Sequence, residues 1–269
     1  LCADPALEPY GGCRLCLVEI EGVEGLPASC TTPVVEGMVV HTDTSRVNEF
    51  RRRIVELLLS DHPDNCLLCP KNQRCELQKI AAYVGINQQR FAKLERPKTI
   101  DSSNPFFIRD SSMCVLCGKC VRVCAEVQGV SALDVFHDGL LSSVIAVGGK
   151  SILESTCESC GHCVARCPTG ALMPKDFLWP EREVKTLCPY CGVGCGIHLA
   201  VRLNEVVGIR GDPENSVNKG SLCVKGRFGI AEFINHPERL TSPLIKRNGE
   251  LTPATWDEAL DLVASKLAN

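Results

Sequence analysis

The sequence of 269 residues contains few aromatic side chains, only 5% of the total, and its formal net charge is just −3. The near-neutral charge gives no reason to expect a nucleic-acid or membrane partner. No apolar stretch approaches the roughly 20 residues that a membrane-spanning helix needs. The first residues, LCADPALEPYGG, also lack the basic and apolar regions of a signal peptide. With 45% hydrophobic and 23% charged residues, the composition is ordinary for a soluble globular protein of one to three domains.

Cysteine is the residue type in excess, with 19 in the chain. In a small secreted domain such a number would indicate a disulfide framework. Here the number is odd, the chain is long, and most cysteines lie two or three residues from the next. Cysteine side chains that lie so close together in sequence converge on one metal centre more readily than they form long-range cross-links. The pattern therefore favours metal binding in a reducing compartment, where thiolates stay available.

The cysteines fall into five sets along the chain, and no cysteine is left over. The first set is spaced C-x10-C-x2-C-x13-C, the second C-x2-C-x5-C, the third and fourth C-x2-C-x2-C-x3-C, and the fifth C-x2-C-x3-C-x27-C. In chain order the sets are Cys2, Cys13, Cys16 and Cys30; Cys66, Cys69 and Cys75; Cys114, Cys117, Cys120 and Cys124; Cys157, Cys160, Cys163 and Cys167; and Cys188, Cys191, Cys195 and Cys223. Only the second set has three members, and His62, four residues before Cys66, would give it a fourth ligand.

The third and fourth sets carry the most specific signal, because two C-x2-C-x2-C-x3-C runs form the pattern of bacterial two-cluster ferredoxins. In that pattern three thiolates of one run and the last cysteine of the other run hold each 4Fe–4S cluster. The pattern predicts two crossed groups, namely Cys114, Cys117, Cys120 and Cys167, and Cys157, Cys160, Cys163 and Cys124. Pro168 follows the second run, as is usual, whereas Ala125 follows the first. Zinc is the alternative, but zinc sites typically pair C-x2-C knuckles at a distance.

Local structure supports a site around His62. Apolar residues repeat at helical spacing before it, after a cap at Asp43 or Thr44. Pro63 ends that helix and leaves His62 on the exit turn, facing the following loop. An isolated histidine is more often a surface or core residue than a ligand. The incomplete second set favours the ligand interpretation here.

The last third of the chain carries a family resemblance. CPYCGVGC, DPENSVNKGSLCVKGRFG and HPERLTSPLIKRNGELTPATWDEAL resemble the entry to molybdenum- or tungsten-bis-pterin oxidoreductases, above all formate dehydrogenases. The resemblance implies a 4Fe–4S cluster just beneath the pterin, on Cys188, Cys191, Cys195 and Cys223. It also implies that Lys225, two residues after the last cysteine, is the electron relay between cluster and pterin. A solvated surface lysine is the alternative.

The front of the chain resembles the iron–sulfur segment shared by the large subunit of respiratory complex I, iron-only hydrogenases and NAD-linked formate dehydrogenases. EPYGGCRLCLVEIEG and H-x3-C-x2-C-x5-C carry this resemblance. It implies a 2Fe–2S cluster on Cys2, Cys13, Cys16 and Cys30, and a 4Fe–4S cluster on His62, Cys66, Cys69 and Cys75. In that family a ubiquitin-like sheet precedes the position of Cys2. We therefore expect only part of the 2Fe–2S domain in this chain.

These segments predict an α+β, multidomain iron–sulfur protein. The expected units are a partial 2Fe–2S ferredoxin-type domain at 1–44, a helical 4Fe–4S domain with one histidine and three cysteine ligands at 45–100, a two-cluster 4Fe–4S ferredoxin domain at 106–180, a 4Fe–4S domain of molybdopterin oxidoreductase type at 184–240, and the truncated start of the molybdopterin domain at 241–269. Because aromatic residues are scarce, we expect the clusters to replace much of the ordinary core.

Three local predictions accompany this organisation. Residues 95–105, ERPKTIDSSNP, are predicted as a linker. HLAVRLNEVVGIRG is predicted as a hairpin that turns at Asn204–Glu205. Thr255 and Glu258 form a capping box before the last helix.

The resemblance implies the electron-transfer segment of a cytoplasmic formate dehydrogenase, which converts formate to carbon dioxide, a proton and two electrons. It implies one 2Fe–2S and four 4Fe–4S clusters here, and a molybdenum or tungsten bis-pterin guanine dinucleotide beyond residue 269. The residues that convert formate are expected outside this segment. The expected partners, in a hetero-oligomer, are flavin- and iron–sulfur-containing diaphorase subunits that reduce NAD or NADP, with ferredoxin as a further acceptor.

Two alternatives stay open at this point. The first is the large subunit of a complex I-type NADH dehydrogenase, whose ferredoxin section usually keeps only one cluster and whose fifth region is degenerate. The second is a zinc-stabilised binding module, which iron and acid-labile sulfide analysis distinguishes from an iron–sulfur protein.

Overall fold

The computed structural model describes residues 1–95 and 97–268. Arg96 of the predicted linker and Asn269 of the predicted pterin segment lie outside those residues. The elements form small sheets and short helices along the chain. Most cysteines lie on the loops between them, and the others lie within short helical segments, namely Cys30, Cys66, Cys120, Cys124 and Cys163. Within the described residues no helix has the length and apolar character needed to cross a membrane.

The front of the chain combines a small hairpin with two helices. Strand β1 (Glu19–Ile20) pairs antiparallel with β2 (Val40–His41). Helix α1 (Ser45–Ser60) begins after Thr44, whose side chain accepts a hydrogen bond from the Val47 N–H, so the predicted cap is confirmed at Thr44. Helix α2 (Glu76–Tyr83) follows Cys75 directly and packs its Leu77 against Val55 of α1. The second set of cysteines therefore lies on the loop between two packed helices.

The middle of the chain contains a three-stranded sheet and a hairpin. The sheet has the order β3 (Ile100–Asp101), β4 (Phe107–Asp110) and β7 (Leu172–Pro174), all antiparallel, and the hairpin joins β5 (Leu133–Phe136) to β6 (Ser143–Ala146). Between them lie the short helices α3 (Lys119–Arg122) and α4 (His162–Arg166). Three cysteines are part of the buried core of this unit, Cys120, Cys163 and Cys167. These thiols pack with aliphatic side chains such as Val123, Ile152 and Val164, and the replacement of core by clusters stays a prediction.

The predicted linker at 95–105 differs from the structure in its second half. Ile100 and Asp101 form β3, which pairs with β4. Asn104 is 1% exposed, and its Nδ2 donates to Ser159 Oγ at 2.8 Å. The Asp101 carboxylate accepts a hydrogen bond from the Ile152 N–H at 2.8 Å. The polar residues that suggested a linker instead satisfy backbone and side-chain groups of the sheet unit.

The last third contains a three-stranded antiparallel sheet, a helix, a hairpin and a final helix. The sheet has the order β10 (Glu205–Gly211), β9 (Gly196–Arg202) and β8 (Arg182–Leu187), and α5 (Ile230–Asn235) packs against it. The hairpin turns at Leu203 and Asn204, both with positive φ, one residue earlier than predicted. Strands β11 (Leu244–Arg247) and β12 (Glu250–Pro253) precede α6 (Trp256–Leu267). The predicted capping box of α6 is confirmed.

Candidate metal centres

The first set of cysteines lies in two close pairs before α1. The backbone N–H of Cys13 donates to Cys2 Sγ at 3.5 Å, and the sulfurs of Cys16 and Cys30 are 3.4 Å apart. Burial opposes ionisation of Cys13, but backbone hydrogen bonds with Leu15 and Cys2 lower its pKa overall. The thiolate is the form that binds metals. Paired sulfurs of this kind fit a 2Fe–2S cluster, which is held by four thiolates.

His62 lies on the turn after α1 and is 8% exposed. Its Nδ1 is 3.1 Å from the carbonyl oxygen of Pro63, so Nδ1 carries the proton and donates this bond. Its Nε2 is buried and has no hydrogen-bond partner among the described residues. Burial lowers the pKa of His62, which keeps the ring neutral at neutral pH. A buried, unprotonated nitrogen whose opposite N–H is held by a carbonyl is the arrangement of a histidine metal ligand.

The three cysteines of the second set lie on the loop that follows His62. Cys66 begins a short 3₁₀ turn, and Cys69 Sγ accepts a hydrogen bond from the Lys71 N–H at 3.4 Å. Burial raises the pKa of Cys75, and the charges of Cys69 and Cys66 also raise it. The three thiols are therefore electrostatic neighbours, and a bound cationic iron core would offset the repulsion between their thiolates.

The third and fourth sets are built by two copies of one local structure. Between the first and second cysteines of each run a residue adopts positive φ, +52° at Leu116 and +57° at Ser159. The backbone N–H of each of these residues donates to the sulfur of the first cysteine of its run at 3.4 Å. A glycine with φ near +70° follows the second cysteine of each run, Gly118 and Gly161, and α3 or α4 begins directly after it. The repeated turn lets three cysteines surround one centre.

A cavity of about 230 Å³ lies at the third set. Four thiols are part of its lining, those of Cys114, Cys117, Cys120 and Cys167. Cys167 of the fourth run thus lies with three cysteines of the third run, in the crossed grouping that the two-cluster pattern predicts. Burial raises the pKa of Cys117 to about 12, and burial together with the charge of Cys167 raises that of Cys120. Such thiols lose their protons when a metal replaces them.

A smaller cavity, about 20 Å³, lies at the fourth set. Its lining includes the thiols of Cys124, Cys157, Cys160 and Cys163, which is the second crossed group. Burial raises the pKa of Cys163, and the charges of the other three thiols raise it further. The backbone N–H of Ala132 donates to Cys124 Sγ at 3.2 Å. This cavity, like the larger one, therefore presents four sulfur donors to one centre.

The fifth set lies beside the β8–β9–β10 sheet and is more exposed. The backbone N–H of Cys188 donates to the carbonyl of Cys195 at 2.8 Å, which closes the CPYCGVGC loop. Burial raises the pKa of Cys195, and the charges of Cys188, Cys191 and Cys223 raise it too. The structure therefore brings Cys223 to the other three across 27 intervening residues. Lys225 is exposed, and no ion pair or hydrogen bond fixes its ammonium group within residues 1–95 and 97–268.

The donor atoms of these sets are thiol sulfurs and one imidazole nitrogen. In the described part of the chain no three His, Cys, Asp or Glu side chains are grouped as they would be around one metal ion. The third and fourth sets instead line cavities, and the open Nε2 of His62 accompanies the second. The donor groups fit iron–sulfur clusters.

The first set contacts the third through Tyr10. A Cβ on Gly118 would lie 3.3 Å from the Tyr10 ring, and the Arg122 guanidinium lies 4.9 Å from the ring centre. Arg122 Nη1 also donates to the carbonyl of Glu8 at 2.7 Å. Arginine stacking on tyrosine adds a cation–π attraction to these hydrogen bonds. The segment that carries the first set is therefore held directly on the third set.

The second set contacts the loop that closes the third set. A Cβ on Gly170 would lie 2.9 Å from Cys69 Sγ, so only glycine fits at that position. The backbone N–H of Glu76 donates to the carbonyl of Pro168 at 2.9 Å, and the Glu76 carboxylate lies 3.1 Å from Lys119 Nζ. The third set is thus flanked by both the first and the second.

The fourth set contacts the fifth through Arg227 and His162. Arg227 Nε donates to the carbonyl of Cys160 at 2.9 Å. Burial lowers the pKa of Arg227 to about 10, so the guanidinium stays charged at neutral pH. Burial also lowers the pKa of His162 to about 4, and its ring forms a hydrogen bond with the backbone of Leu222. Contacts therefore run without interruption from the fifth set to the first.

Family models match consecutive parts of the chain. They are described as 2Fe-2S iron-sulfur cluster binding domain at residues 1–45, NADH-ubiquinone oxidoreductase-G iron-sulfur binding region at 51–90, 4Fe-4S dicluster domain at 113–171, Molybdopterin oxidoreductase Fe4S4 domain at 181–236, and Molybdopterin oxidoreductase at 239–269. The fold and the cysteine sets therefore define a multidomain iron–sulfur protein of the molybdopterin oxidoreductase class, as the sequence predicts.

Individual similar proteins define the family more narrowly than the family models do. The chain is 38% identical to an NADH-quinone oxidoreductase subunit of Rhizobium meliloti (strain 1021), over 97% of this chain and 31% of that protein. It is 32% identical to a candidate formate dehydrogenase of Bacillus subtilis (strain 168), over 100% of this chain and 32% of that protein. A crystal structure of NAD+-reducing [NiFe]-hydrogenase in the H2-reduced state matches with a TM-score of 0.61 and 32% identity, over 65% of this chain and 74% of that chain.

The chain belongs to the family of iron–sulfur electron-transfer subunits and segments that these proteins share. It spans about a third of the length of the curated relatives it matches, 31% and 32%. The predicted family resemblance is confirmed.

Sequence patterns did not single out the residues at the contacts between sets. Tyr10, Gly170 and Arg227 lie in ordinary positions of the sequence, between or just after cysteines. The one available signal is their proximity to cysteines, and it does not distinguish them from other neighbours. Their roles depend on contacts between segments distant in sequence.

Proposed function

We propose that this chain is the electron-transfer segment of a molybdenum- or tungsten-dependent formate dehydrogenase, whose complete protein converts formate to carbon dioxide, a proton and two electrons. The observation that carries the proposal is the pair of complete, crossed cysteine groups in the middle of the chain, which joins the fifth set to the front sets. A complex I-type subunit with one group at this place would lack that continuity.

The proposed ligands are those predicted from the sequence. A 2Fe–2S cluster would be held by Cys2, Cys13, Cys16 and Cys30. Four 4Fe–4S clusters would be held by His62, Cys66, Cys69 and Cys75; by Cys114, Cys117, Cys120 and Cys167; by Cys157, Cys160, Cys163 and Cys124; and by Cys188, Cys191, Cys195 and Cys223. When bound, the clusters supply one-electron carriers that divide a two-electron oxidation into single transfers.

Contacts between neighbouring sets define the order in which the five sets follow one another in space. Arg227 and His162 place the fifth set against the fourth, which shares its sheet unit with the third. Tyr10 and Gly170 place the first and second sets on the third. We propose that electrons enter from a pterin near Lys225, pass this row and leave at the front. The third-set cluster would then pass electrons both to the first-set cluster and to the second-set cluster.

We further propose that the complex works in the cytoplasm with a flavin- and iron–sulfur-containing diaphorase that reduces NAD or NADP, with ferredoxin as a further acceptor. The names of the similar proteins, an NADH-quinone oxidoreductase subunit and an NAD+-reducing hydrogenase, support a nicotinamide-linked hetero-oligomer. The bis-pterin guanine dinucleotide and the residues that convert formate would lie in the part of the protein after residue 269.

The test is formate-driven reduction of the complete, anaerobically purified protein, followed by electron paramagnetic resonance. Formate should produce the signals of reduced clusters, including the 2Fe–2S signal of the front set. Cys223→Ser should abolish reduction of the front set by formate while NADH, added with the partner complex, still reduces it. Reduction by NADH but never by formate would contradict the formate assignment.

The second candidate function is that of a complex I-type large subunit, and the 38% identity to an NADH-quinone oxidoreductase subunit favours it. It predicts the same front clusters but no pterin and no response to formate. Metal analysis of the complete protein separates the two, because only a formate dehydrogenase would contain molybdenum or tungsten. A zinc-stabilised module would contain neither these metals nor acid-labile sulfide.

A further inference from the structure

Arg227 is bound to one cysteine of the fourth set and one of the fifth. Its side-chain Nε donates to the carbonyl of Cys160 at 2.9 Å, and its backbone N–H donates to the carbonyl of Cys223 at 3.0 Å. The residue is 6% exposed. A single buried side chain therefore spans the contact between the two proposed cluster domains.

The guanidinium has no acidic partner within the described residues. Its Nη2 is buried without a hydrogen-bond acceptor, and no carboxylate is among the main charges that act on it. The ionisable groups around it are instead Cys160, Cys163 and Cys223, which would carry negative charge as metal-bound thiolates, together with a second cation, Arg166. A buried cation is costly unless a negative charge compensates it. The two flanking cysteine sets are the available source of that charge.

Lys119, a buried cation within the third run, shows the contrast. It is also buried, at 5% exposed, but its Nζ lies 3.1 Å from the Glu76 carboxylate. A conventional ion pair therefore stabilises Lys119. Arg227 has no such pair in the described part of the chain, so its compensation has to come from the sites themselves.

The Arg227 side chain packs closely against Gly161. Gly161 has a φ of +72°, and a Cβ there would lie 2.8 Å from Phe228 Cζ and 2.9 Å from Arg227 Nε. Phe228 stacks on Phe106 of the sheet unit, with ring centres 4.8 Å apart and planes 8° from parallel. The close approach allowed by the glycine and the stacked rings fix the guanidinium between the fourth and fifth sets.

We propose that Arg227 is a positioning residue for electron transfer, a counter-cation shared by the fourth-set and fifth-set clusters. A fixed positive charge stabilises the reduced, more negative state of each cluster and so raises both reduction potentials together. The same side chain holds the two domains in contact. This inference rests on the proposed cluster assignments and adds a residue that is not a ligand.

The experiment uses the complete, iron-loaded protein and redox titration followed by electron paramagnetic resonance. Arg227→Gln removes the charge and Arg227→Lys keeps it. Arg210→Gln is the matched control, because Arg210 is a half-exposed arginine of the same sheet domain, paired with Glu183 at 2.6 Å. Iron, sulfide and zinc are measured on every variant.

Arg227→Gln should make reduction of the fourth-set and fifth-set clusters about tenfold less favourable, equivalent to about 59 mV for one electron. The 2Fe–2S potential should not change. Arg227→Lys and Arg210→Gln should keep all potentials near those of the unmodified protein. Fully iron-loaded Arg227→Gln with unchanged potentials would overturn the inference while leaving the proposed function intact.

The lysine variant decides the question if Arg227→Gln does not retain iron. If Arg227→Lys keeps the reduction potentials of the fourth-set and fifth-set clusters unchanged, the role of the charge is supported. If iron-loaded Arg227→Lys shows lowered potentials for these clusters, that role is overturned. Zinc in place of iron in the unmodified protein would overturn the proposed function, and this inference with it. The two failures are therefore distinguishable.

Discussion

Gly161→Ala is the sharpest test of the contact between the fourth and fifth sets. The substitution forces an alanine into the left-handed region at φ +72°, which costs about 1–2 kcal/mol. It also places a methyl group 2.8 Å from Phe228 Cζ and 2.9 Å from Arg227 Nε. The Arg227 side chain is held by its bond to Cys160 and cannot move freely. Overpacking of this kind costs about 1–3 kcal/mol in addition.

Gly129→Ala is the matched control for that substitution. Gly129 has nearly the same φ, +74°, but nothing lies within 4 Å of the position of its Cβ. It therefore carries the backbone strain alone. The difference between the two variants isolates the close approach of Arg227 and Phe228.

The assay is thermal unfolding of the iron-loaded protein under anaerobic conditions, followed by the visible absorbance of the clusters. A domain of about 60–100 residues, such as the predicted ferredoxin unit at 106–180, loses about 4–8 °C in melting temperature per kcal/mol. Overpacking by at least about 1 kcal/mol should therefore make Gly161→Ala melt at least about 4 °C below Gly129→Ala. It should also expose the segment around residue 228 to limited proteolysis. Equal melting temperatures of the two variants would refute the packing described here.

Three further predictions concern other parts of the chain. His62→Cys should lower the midpoint potential of the second-set cluster, because histidine ligation raises reduction potentials in Rieske centres. His41→Cys, at an exposed site, is the control and should leave that potential unchanged. An unchanged potential and signal in His62→Cys would count against ligation by His62. Asp212→Asn should lower the melting temperature near pH 8, because it removes the ion pair with Lys185 Nζ, which lies 2.8 Å from the Asp212 carboxylate and holds its pKa at about 2; equal melting temperatures by calorimetry would contradict this. The stabilisation is lost only as the pH falls from about 3.9 towards that value. Removal of iron with a chelator should abolish hydrogen-exchange protection in the cysteine loops but leave α6, which has no cysteine; protected loops in the iron-free protein would show that the metal is not needed for their folding.

Local chemistry explains what could be predicted from the sequence. The cap of α1 at Thr44 and the capping box of α6 depend on residues within three positions of each other. The grouping of the third and fourth sets follows from cysteine spacing, and the structure places Cys167 and Cys124 in the crossed groups. Short-range spacing constrains such features whatever the rest of the chain does.

Contacts between distant segments explain what could not be predicted. Asn104 resembled a linker residue because its partner, Ser159, is 55 residues away. No sequence pattern singled out Arg227, because its acceptor, the carbonyl of Cys160, is 67 residues away. The turn at Leu203 was displaced by one residue because a leucine there adopts positive φ, which propensity disfavours. Tertiary packing outweighs local preference at each of these positions.

Metal and sulfide analysis of the purified protein tests the central claim most directly. Five clusters, one 2Fe–2S and four 4Fe–4S, predict about 18 irons and a matching amount of acid-labile sulfide for each chain, with little zinc. That result would support an electron-transfer row held by the 19 cysteines and His62. Mostly zinc with little sulfide would contradict it.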